Sequence, residues 1–274
     1  MKFTKMHGAG NDFIIINNIE EKIPVEKLNQ IAKTLCQRRL SLGANGLMVV
    51  DNPCYGGDYK TRFYNPDGSE AEMCGNGARC IARYGYEKKL AGETPKIETK
   101  AGMVTGWRQD SHQYKIRLNN PSLIKLEYNL EVDGKKYVCS YLELGNPGIP
   151  HGVVKIDGLK DMKEKDLWDL GNKLRYHKEF QKGANINFYE VVGIDEVLEK
   201  TFERGVEDFT LACGTGTGST VAVLTLLGKV SGEHVKVHVP GGELYITIVR
   251  DKDQIKEIYL TGPTNIVAEG EITD

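Results

Sequence analysis

Cys213-Gly214-Thr215-Gly216 repeats, about 140 residues further along, the turn Cys74-Gly75-Asn76-Gly77. Behind the second copy, residues 219–227 (Ser-Thr-Val-Ala-Val-Leu-Thr-Leu-Leu) carry no charge on any face. A helix without a charged face is a buried one, so this stretch predicts a helix enclosed within its domain and surrounded by strands. Three more pairs keep the same order. Gly43-Ala44-Asn45 falls on Gly183-Ala184-Asn185, residues 96–102 fall on 236–242, and Leu118-Asn119-Asn120-Pro121 falls on Leu260-Thr261-Gly262-Pro263. Short glycine-containing words recur by chance, but four in one order at nearly one spacing do not. The 274 residues therefore read as a duplicated unit, with a period far above that of solenoid repeats.

The coarse elements of the halves agree. β-branched runs at 13–17 and 153–156 read as strands, and charged segments at 25–36 and 161–174 as helices. Strands at 47–50 and 186–192 follow the Gly-Ala-Asn words. Helices at 78–88 and 219–227 follow the Cys-Gly turns, and hairpin-like strands come after them at 96–108 and 236–250. The boundary falls near Asn120–Pro121, giving domains 1–120 and 121–262, with 263–274 completing the first. No Gly/Ser or Pro linker separates the halves, so they are expected to pack closely.

Composition excludes several classes. Lys plus Arg (36) nearly balances Asp plus Glu (38), for a formal net charge of −2, and this gives no electrostatic reason to expect a nucleic-acid or membrane-surface partner. No apolar run approaches the roughly 20 residues of a membrane span. The short run 13–16 beside Lys2, Lys5 and Asp12 does not have the build of a secretory signal. The six cysteines are thinly spread, which favours reduced thiols and a cytoplasmic setting over a disulfide framework.

Two of those cysteines occupy equivalent places. If the domains face each other about a pseudo-two-fold axis, Cys74 and Cys213 converge on one cleft. Each precedes a Gly-x-Gly turn into a helix, whose N–H groups form a cradle for a carboxylate or phosphate. The same partial charge is expected to lower the thiol pKa. One thiolate could remove the proton α to a bound carboxylate while the opposite thiol delivers a proton to the other face. Cys36, Cys54, Cys80 and Cys139 have no such context and read as inert hydrophobes. There is no C-x-x-C and no matched histidine pair, so no metal is expected. Residues 214–218 have neither G-x-G-x-x-G spacing nor a G-K-[ST] ending, and no local pattern marks a pyridoxal-phosphate lysine. No cofactor is expected.

Further words extend the pattern: Met6-His7-Gly8-Ala9-Gly10-Asn11-Asp12-Phe13, Tyr64-Asn65-Pro66-Asp67-Gly68-Ser69, Met73-Cys74-Gly75-Asn76-Gly77-Ala78-Arg79-Cys80, Glu203-Arg204-Gly205-Val206 and Ala212-Cys213-Gly214-Thr215-Gly216. Together, and over the whole chain, these resemble the diaminopimelate epimerase family of cofactor-independent two-cysteine racemases and epimerases. The resemblance implies an α/β (α+β) fold of two homologous, pseudo-two-fold-related domains, each a mostly antiparallel or mixed sheet wrapped around a central helix. It implies Cys74 and Cys213 as base and acid. Backbone amides of Gly75, Asn76, Gly214 and Thr215 would hold the reacting carboxylate, and Asn11, Asn65, Asn185 and Arg204 the far end of a small amino-acid substrate. Glu203 would contact a substrate amine or help poise Cys213, and His151 would assist proton transfer. A homodimer is one option for the assembly.

The chain departs from the family pattern in four places. Asn45 stands where the family has Asp, and Gly145-Asn146-Pro147-Gly148-Ile149-Pro150-His151 replaces Gly-Asn-Pro-His. Phe209 stands where Glu is usual, and Thr217 where alanine is. None touches the two-cysteine chemistry, but all bear on the pocket. Besides diaminopimelate, the substrates left open are histidine, glutamate and proline. A non-catalytic or non-thiol homologue is the remaining alternative.

Overall fold

The computed structural model describes residues 1–72 and 74–273. Met73 of the quoted motif and Asp274 of the segment 263–274 lie outside the described residues. The chain forms two compact units: Met1–Ile116 together with the stretch from Gly262 onward, and Arg117–Thr261.

The first unit runs through β1 (Lys2–Gly8), β2 (Asn11–Asn17), α1 (Asn18–Glu21), α2 (Val25–Leu35), β3 (Gly46–Asp51), β4 (Tyr59–Tyr64), β5 (Glu70–Ala71), α3 (Gly75–Glu87), β6 (Lys96–Thr99), β7 (Gly102–Arg108) and β8 (Gln113–Leu118). The second runs through β9 (Pro121–Val132), β10 (Lys135–Leu144), β11 (Ile149–Lys155), α4 (Glu164–Arg175), β12 (Asn185–Gly193), β13 (Glu196–Glu203), β14 (Asp208–Thr210), α5 (Gly214–Leu226), β15 (Val235–Val239), β16 (Gly242–Asp251) and β17 (Gln254–Pro263). The final strand β18 (Asn265–Glu271) returns to pair with β1.

The pairing pattern repeats strand for strand. In the first unit β1–β2 is antiparallel, β2–β3 parallel across α2, β3–β4 antiparallel, β4–β6 parallel across α3, and β6–β7 antiparallel. In the second, β10–β11, β11–β12 across α4, β12–β13, β13–β15 across α5, and β15–β16 follow the same sequence of directions. The chain is thus α+β, two halves built to one plan, each a mixed, mostly antiparallel sheet about a central helix.

Local sequence explains the layers. In β2 the side chains alternate: Phe13 and Ile15 join Cys80 and Ile81 of α3, whereas Ile14 and Ile16 join Leu28 and Ala32 of α2. A strand buried on both faces must be apolar at every position, and each such isoleucine contributes about 2 kcal/mol. The outer helices bury one stripe at i, i+4 and i+7: Leu28, Ala32 and Leu35 in α2, and Leu167, Gly171 and Leu174 in α4. The central helices are buried along most of their length, α3 from Gly75 to Gly85 and α5 from Gly214 to Thr225 with Thr215 alone less covered. The repeated Gly-Ala-Asn word has a backbone cause. Gly43 and Gly183 both sit at left-handed φ, 67° and 63°, where a side chain is disfavoured.

Two sequence expectations shift. The glycines read as a turn ahead of each central helix are its first turn, because the cysteine itself is the N-cap residue. The long β9–β10 hairpin has no counterpart in the sequence reading, although residues 124–132 alternate apolar and polar side chains as a strand does. Among the described residues no helix is long and apolar enough to cross a membrane.

Candidate active site

In the first unit, Cys74 is the extended N-cap of α3 (φ −89°, ψ 153°), and its Sγ accepts the Gly77 N–H at 3.2 Å. Sulfur thereby takes the place usually held by a Ser or Asp oxygen, at the positive end of a helix. The amides of Gly75 and Asn76 belong to the same first turn, at the positive end of the helix. Asn76 is buried, and its Oδ1 accepts from Nη2 of the fully buried Arg79 at 3.0 Å. Burial pulls the Arg79 guanidinium down to about 10, while the neighbouring thiols of Cys80 and Cys74 favour its charged form. Asn11 stands opposite Gly8 at the mouth of the β1–β2 hairpin, and its Oδ1 is buried without a hydrogen-bond partner among the described residues. Asn65 is engaged in its own turn: its N–H donates to the Ser69 carbonyl at 2.9 Å and its Nδ2 to Ser69 Oγ at 3.0 Å. Asn45, in place of the expected carboxylate, accepts from Arg38 and from the Asp12 N–H, both at 3.2 Å.

In the second unit, Cys213 is the N-cap of α5, 7% exposed, with its Sγ 3.6 Å from Thr215 Oγ1. The helix turn beneath it is tight: a Cβ on Gly216 would lie 2.3 Å from Asn187 Oδ1. The expectation of a lowered thiol pKa is reversed here. Burial pushes the Cys213 thiol well above its ordinary value, and the Glu203 carboxylate adds to that. The Thr215 hydroxyl and the Gly216 amide oppose the shift without overcoming it. Loss of water outweighs the helix end.

Glu203 ends β13 and accepts from Thr210 Oγ1 at 2.8 Å; burial raises its own carboxyl. Arg204 follows on the surface. Its N–H donates to Asn185 Oδ1 at 2.8 Å and its Nη1 to the Lys182 carbonyl at 3.3 Å. Asn185 starts β12 opposite His151 of β11 and donates to the Pro150 carbonyl at 3.2 Å. The second unit thus draws His151, Asn185, Glu203, Arg204, Cys213, Gly214 and Thr215 onto neighbouring strand ends and one helix turn.

His151 is fully buried. Its Nδ1 lies 3.3 Å from Asn187 Nδ2, and Asn187 is oriented by Thr201 Oγ1 donating to its Oδ1 at 3.0 Å. Nδ1 is therefore the acceptor, which puts the ring hydrogen on Nε2, a buried nitrogen without a partner among the described residues. Burial, and then the Arg204 charge, depress this histidine from 6.5 to about 3. The ring stays neutral when folded but gains a proton on unfolding below pH 6.5. Its contribution to stability is therefore present above pH 6.5 and lost as pH falls toward 3. Thermal or urea melts should show wild type losing about 2 kcal/mol more than His151→Asn between pH 7.5 and 5. Parallel curves for the two proteins would contradict the assignment.

One group escaped the sequence reading. Glu199 of β13 is completely buried, held by Thr217 Oγ1 and Thr220 Oγ1 of α5 at 2.5 Å each. In the sequence it looks like any charged residue, between Leu198 and Lys200. The strand's alternation, Val197, Glu199 and Thr201 buried against half-buried Leu198 and Lys200, was the available signal.

The sequence model of the diaminopimelate epimerase family matches residues 3–124 and 144–267. The diaminopimelate epimerase of Aquifex aeolicus is 38% identical over 100% of this chain and 98% of its own length. That of Archaeoglobus fulgidus is 37% identical over 98% and 95%. Two solved structures share the fold at low identity. A phenazine biosynthesis protein of the PhzF family from Enterococcus faecalis has TM-score 0.71 at 13% identity, over 99% of this chain and 98% of that one. A probable proline racemase from Agrobacterium radiobacter has TM-score 0.69 at 16% identity, over 99% and 92%.

Proposed function

Since the chain belongs to the diaminopimelate epimerase family, we propose that it converts LL-diaminopimelate to the meso form by inverting one α-carbon with the thiols of Cys74 and Cys213. It is an isomerase, acting on a small molecule. The observation that carries the reading is the matched pair of cysteine N-caps on the two central helices, α3 and α5, at equivalent points of a duplicated topology.

In this mechanism one cysteine, as thiolate, takes the α-proton. The electron pair left on carbon delocalises into the carboxylate, whose growing charge would meet the first-turn amides of Gly75, Asn76, Gly214 and Thr215. The other cysteine, as thiol, returns a proton to the opposite face and becomes the thiolate that serves the reverse reaction. No electron acceptor beyond the substrate carboxylate is required. Cys213, whose burial holds it protonated, suits the role of acid in the resting protein. Glu203 would receive the substrate amine. Arg204 would clamp the distant carboxylate, aided by Asn11, Asn65 and Asn185, and a guanidinium fork fits that group better than an ammonium does.

The test is isotope incorporation. Incubated with LL-diaminopimelate in deuterium oxide under reducing conditions, the protein is expected to yield meso product with one deuterium at the inverted carbon. Histidine, glutamate and proline should show no α-exchange. Exchange in one of these, and none in diaminopimelate, would overturn the substrate; no exchange anywhere would overturn the reaction.

A further inference from the structure

The carboxyl of Glu199 lies inside the second unit, and among the described residues no cation pairs with it. Thr217 Oγ1 sits 2.5 Å from its Oε2 and Thr220 Oγ1 2.5 Å from its Oε1. Both threonines are fully buried on α5, the helix that Cys213 caps. Thr217 has a second partner. The same hydroxyl is 3.0 Å from the carbonyl oxygen of Cys213, which also accepts the Thr217 N–H at 2.9 Å. One hydroxyl hydrogen is thus shared between two acceptors, one on Glu199 and one on the backbone of the cysteine.

Counting hydrogens shows what the arrangement does. With Glu199 ionised, both threonine hydroxyls point at the carboxylate, and the Cys213 carbonyl keeps only the Thr217 amide. With Glu199 protonated, its own O–H can donate to a threonine oxygen. The Thr217 hydrogen is then free to close on the Cys213 carbonyl. We infer that Glu199 is a positioning residue for Cys213: through Thr217, its proton sets both the hydrogen bonding of the cysteine backbone and the charge against which the thiol must ionise.

The inference rests on reading Cys213 as a reacting thiol. It concerns this chain in particular, since Thr217 stands where the family resemblance has alanine. The surroundings support it. Burial lifts the Glu199 carboxyl to about 7 even though both threonines pull it down, and its charge adds to those opposing ionisation of Cys213. The titratable groups that share this interior are few. Glu203 lies further along β13 and is held by Thr210, His151 on β11 is neutral, and Tyr189, the cross-strand neighbour on β12, is bonded to Lys229. Strands β15 and β16 contribute the buried aliphatic residues Val237, Leu244 and Ile246. His238 on β15 is occupied with Glu196, and Lys200 on β13 with the Leu159 carbonyl.

The test reads the thiol directly and needs no turnover. Alkylation of Cys213 by iodoacetamide, located by peptide mass mapping on the full chain, is followed from pH 6 to 10. Glu199→Gln keeps the shape and removes the charge, and is expected to speed modification at pH 8 by about threefold or more. Thr217→Ala, which cuts the link and leaves Glu199 with one donor fewer, should shift the profile the same way. Thr217→Ser should restore the wild-type profile. Thermal melts confirm folding, and if Glu199→Gln does not fold, the Thr217 pair decides. A structural role alone would lower the melting temperature and leave every pH profile superimposed, and that result overturns the inference. If the profiles move as expected while diaminopimelate shows no exchange, the proposed reaction fails and the coupling stands. If exchange occurs and the profiles coincide, the coupling alone fails.

Discussion

Replacing either Cys74 or Cys213 with alanine is expected to lower the rate of α-carbon inversion by about a thousandfold or more, within the range that positioned acid–base groups supply. The two variants should nevertheless differ from each other. An isomer whose α-proton faces the surviving thiol can still lose that proton and regain one from the same side. Solvent deuterium then enters the starting isomer without inversion. The opposite isomer, facing the alanine, should neither exchange nor invert. Each variant is therefore expected to wash deuterium into one isomer and not the other, with the isomers interchanged between Cys74→Ala and Cys213→Ala. Chiral separation followed by mass spectrometry reads this directly. Inversion at wild-type rate in either variant would end the two-thiol mechanism. Inversion lost with exchange lost from both isomers in both variants would point instead to a binding role for the cysteines. The substitution leaves the fold in place: Cys74→Ala removes one cap bond, at about 1 kcal/mol, and each helix stays enclosed by its sheet.

Arg204→Ala should reduce kcat/KM for LL-diaminopimelate by about a hundredfold, equivalent to about 3 kcal/mol for a charge-assisted pair to a carboxylate. The position lends itself to a clean test. The Arg204 backbone N–H, not its side chain, anchors Asn185, and the guanidinium makes a single 3.3 Å bond to a carbonyl. Removing it leaves the strand ends in place. Arg204→Lys should recover only part of the loss, since an ammonium carries the charge without the planar fork. Substrates that lack a second carboxylate should be insensitive to either change. A kcat/KM within twofold of wild type for Arg204→Ala would show that the distant carboxylate is held elsewhere.

Part of this protein could be read without coordinates. The doubled words around Gly43, Cys74, Gly183 and Cys213 marked a repeated unit, because glycine at a left-handed φ and a small residue before a helix are local requirements written into a few adjacent positions. The alternation of β2 and the stripes of α2 and α4 follow from periods of 2 and 3.6. The uncharged run in α5 announced a buried helix for the same reason.

The ionisation chemistry was not legible in this way. The rule that a helix N-terminus lowers a thiol pKa predicted a poised Cys213, yet burial and the charge of Glu203 reverse the sign there. His151 reads as a histidine near neutrality until strands β11 and β12 close over it and Arg204 comes alongside. Glu199 reads as a solvated charge until β13 turns it under α5, onto hydroxyls 18 and 21 positions further along the chain. Periodicity and turn chemistry act between near neighbours in sequence, so the amino-acid order alone determined the repeated topology and the places of both cysteines. A proton's free energy depends on the water and charge around it, and for residues distant in sequence only the tertiary packing decides which surround which.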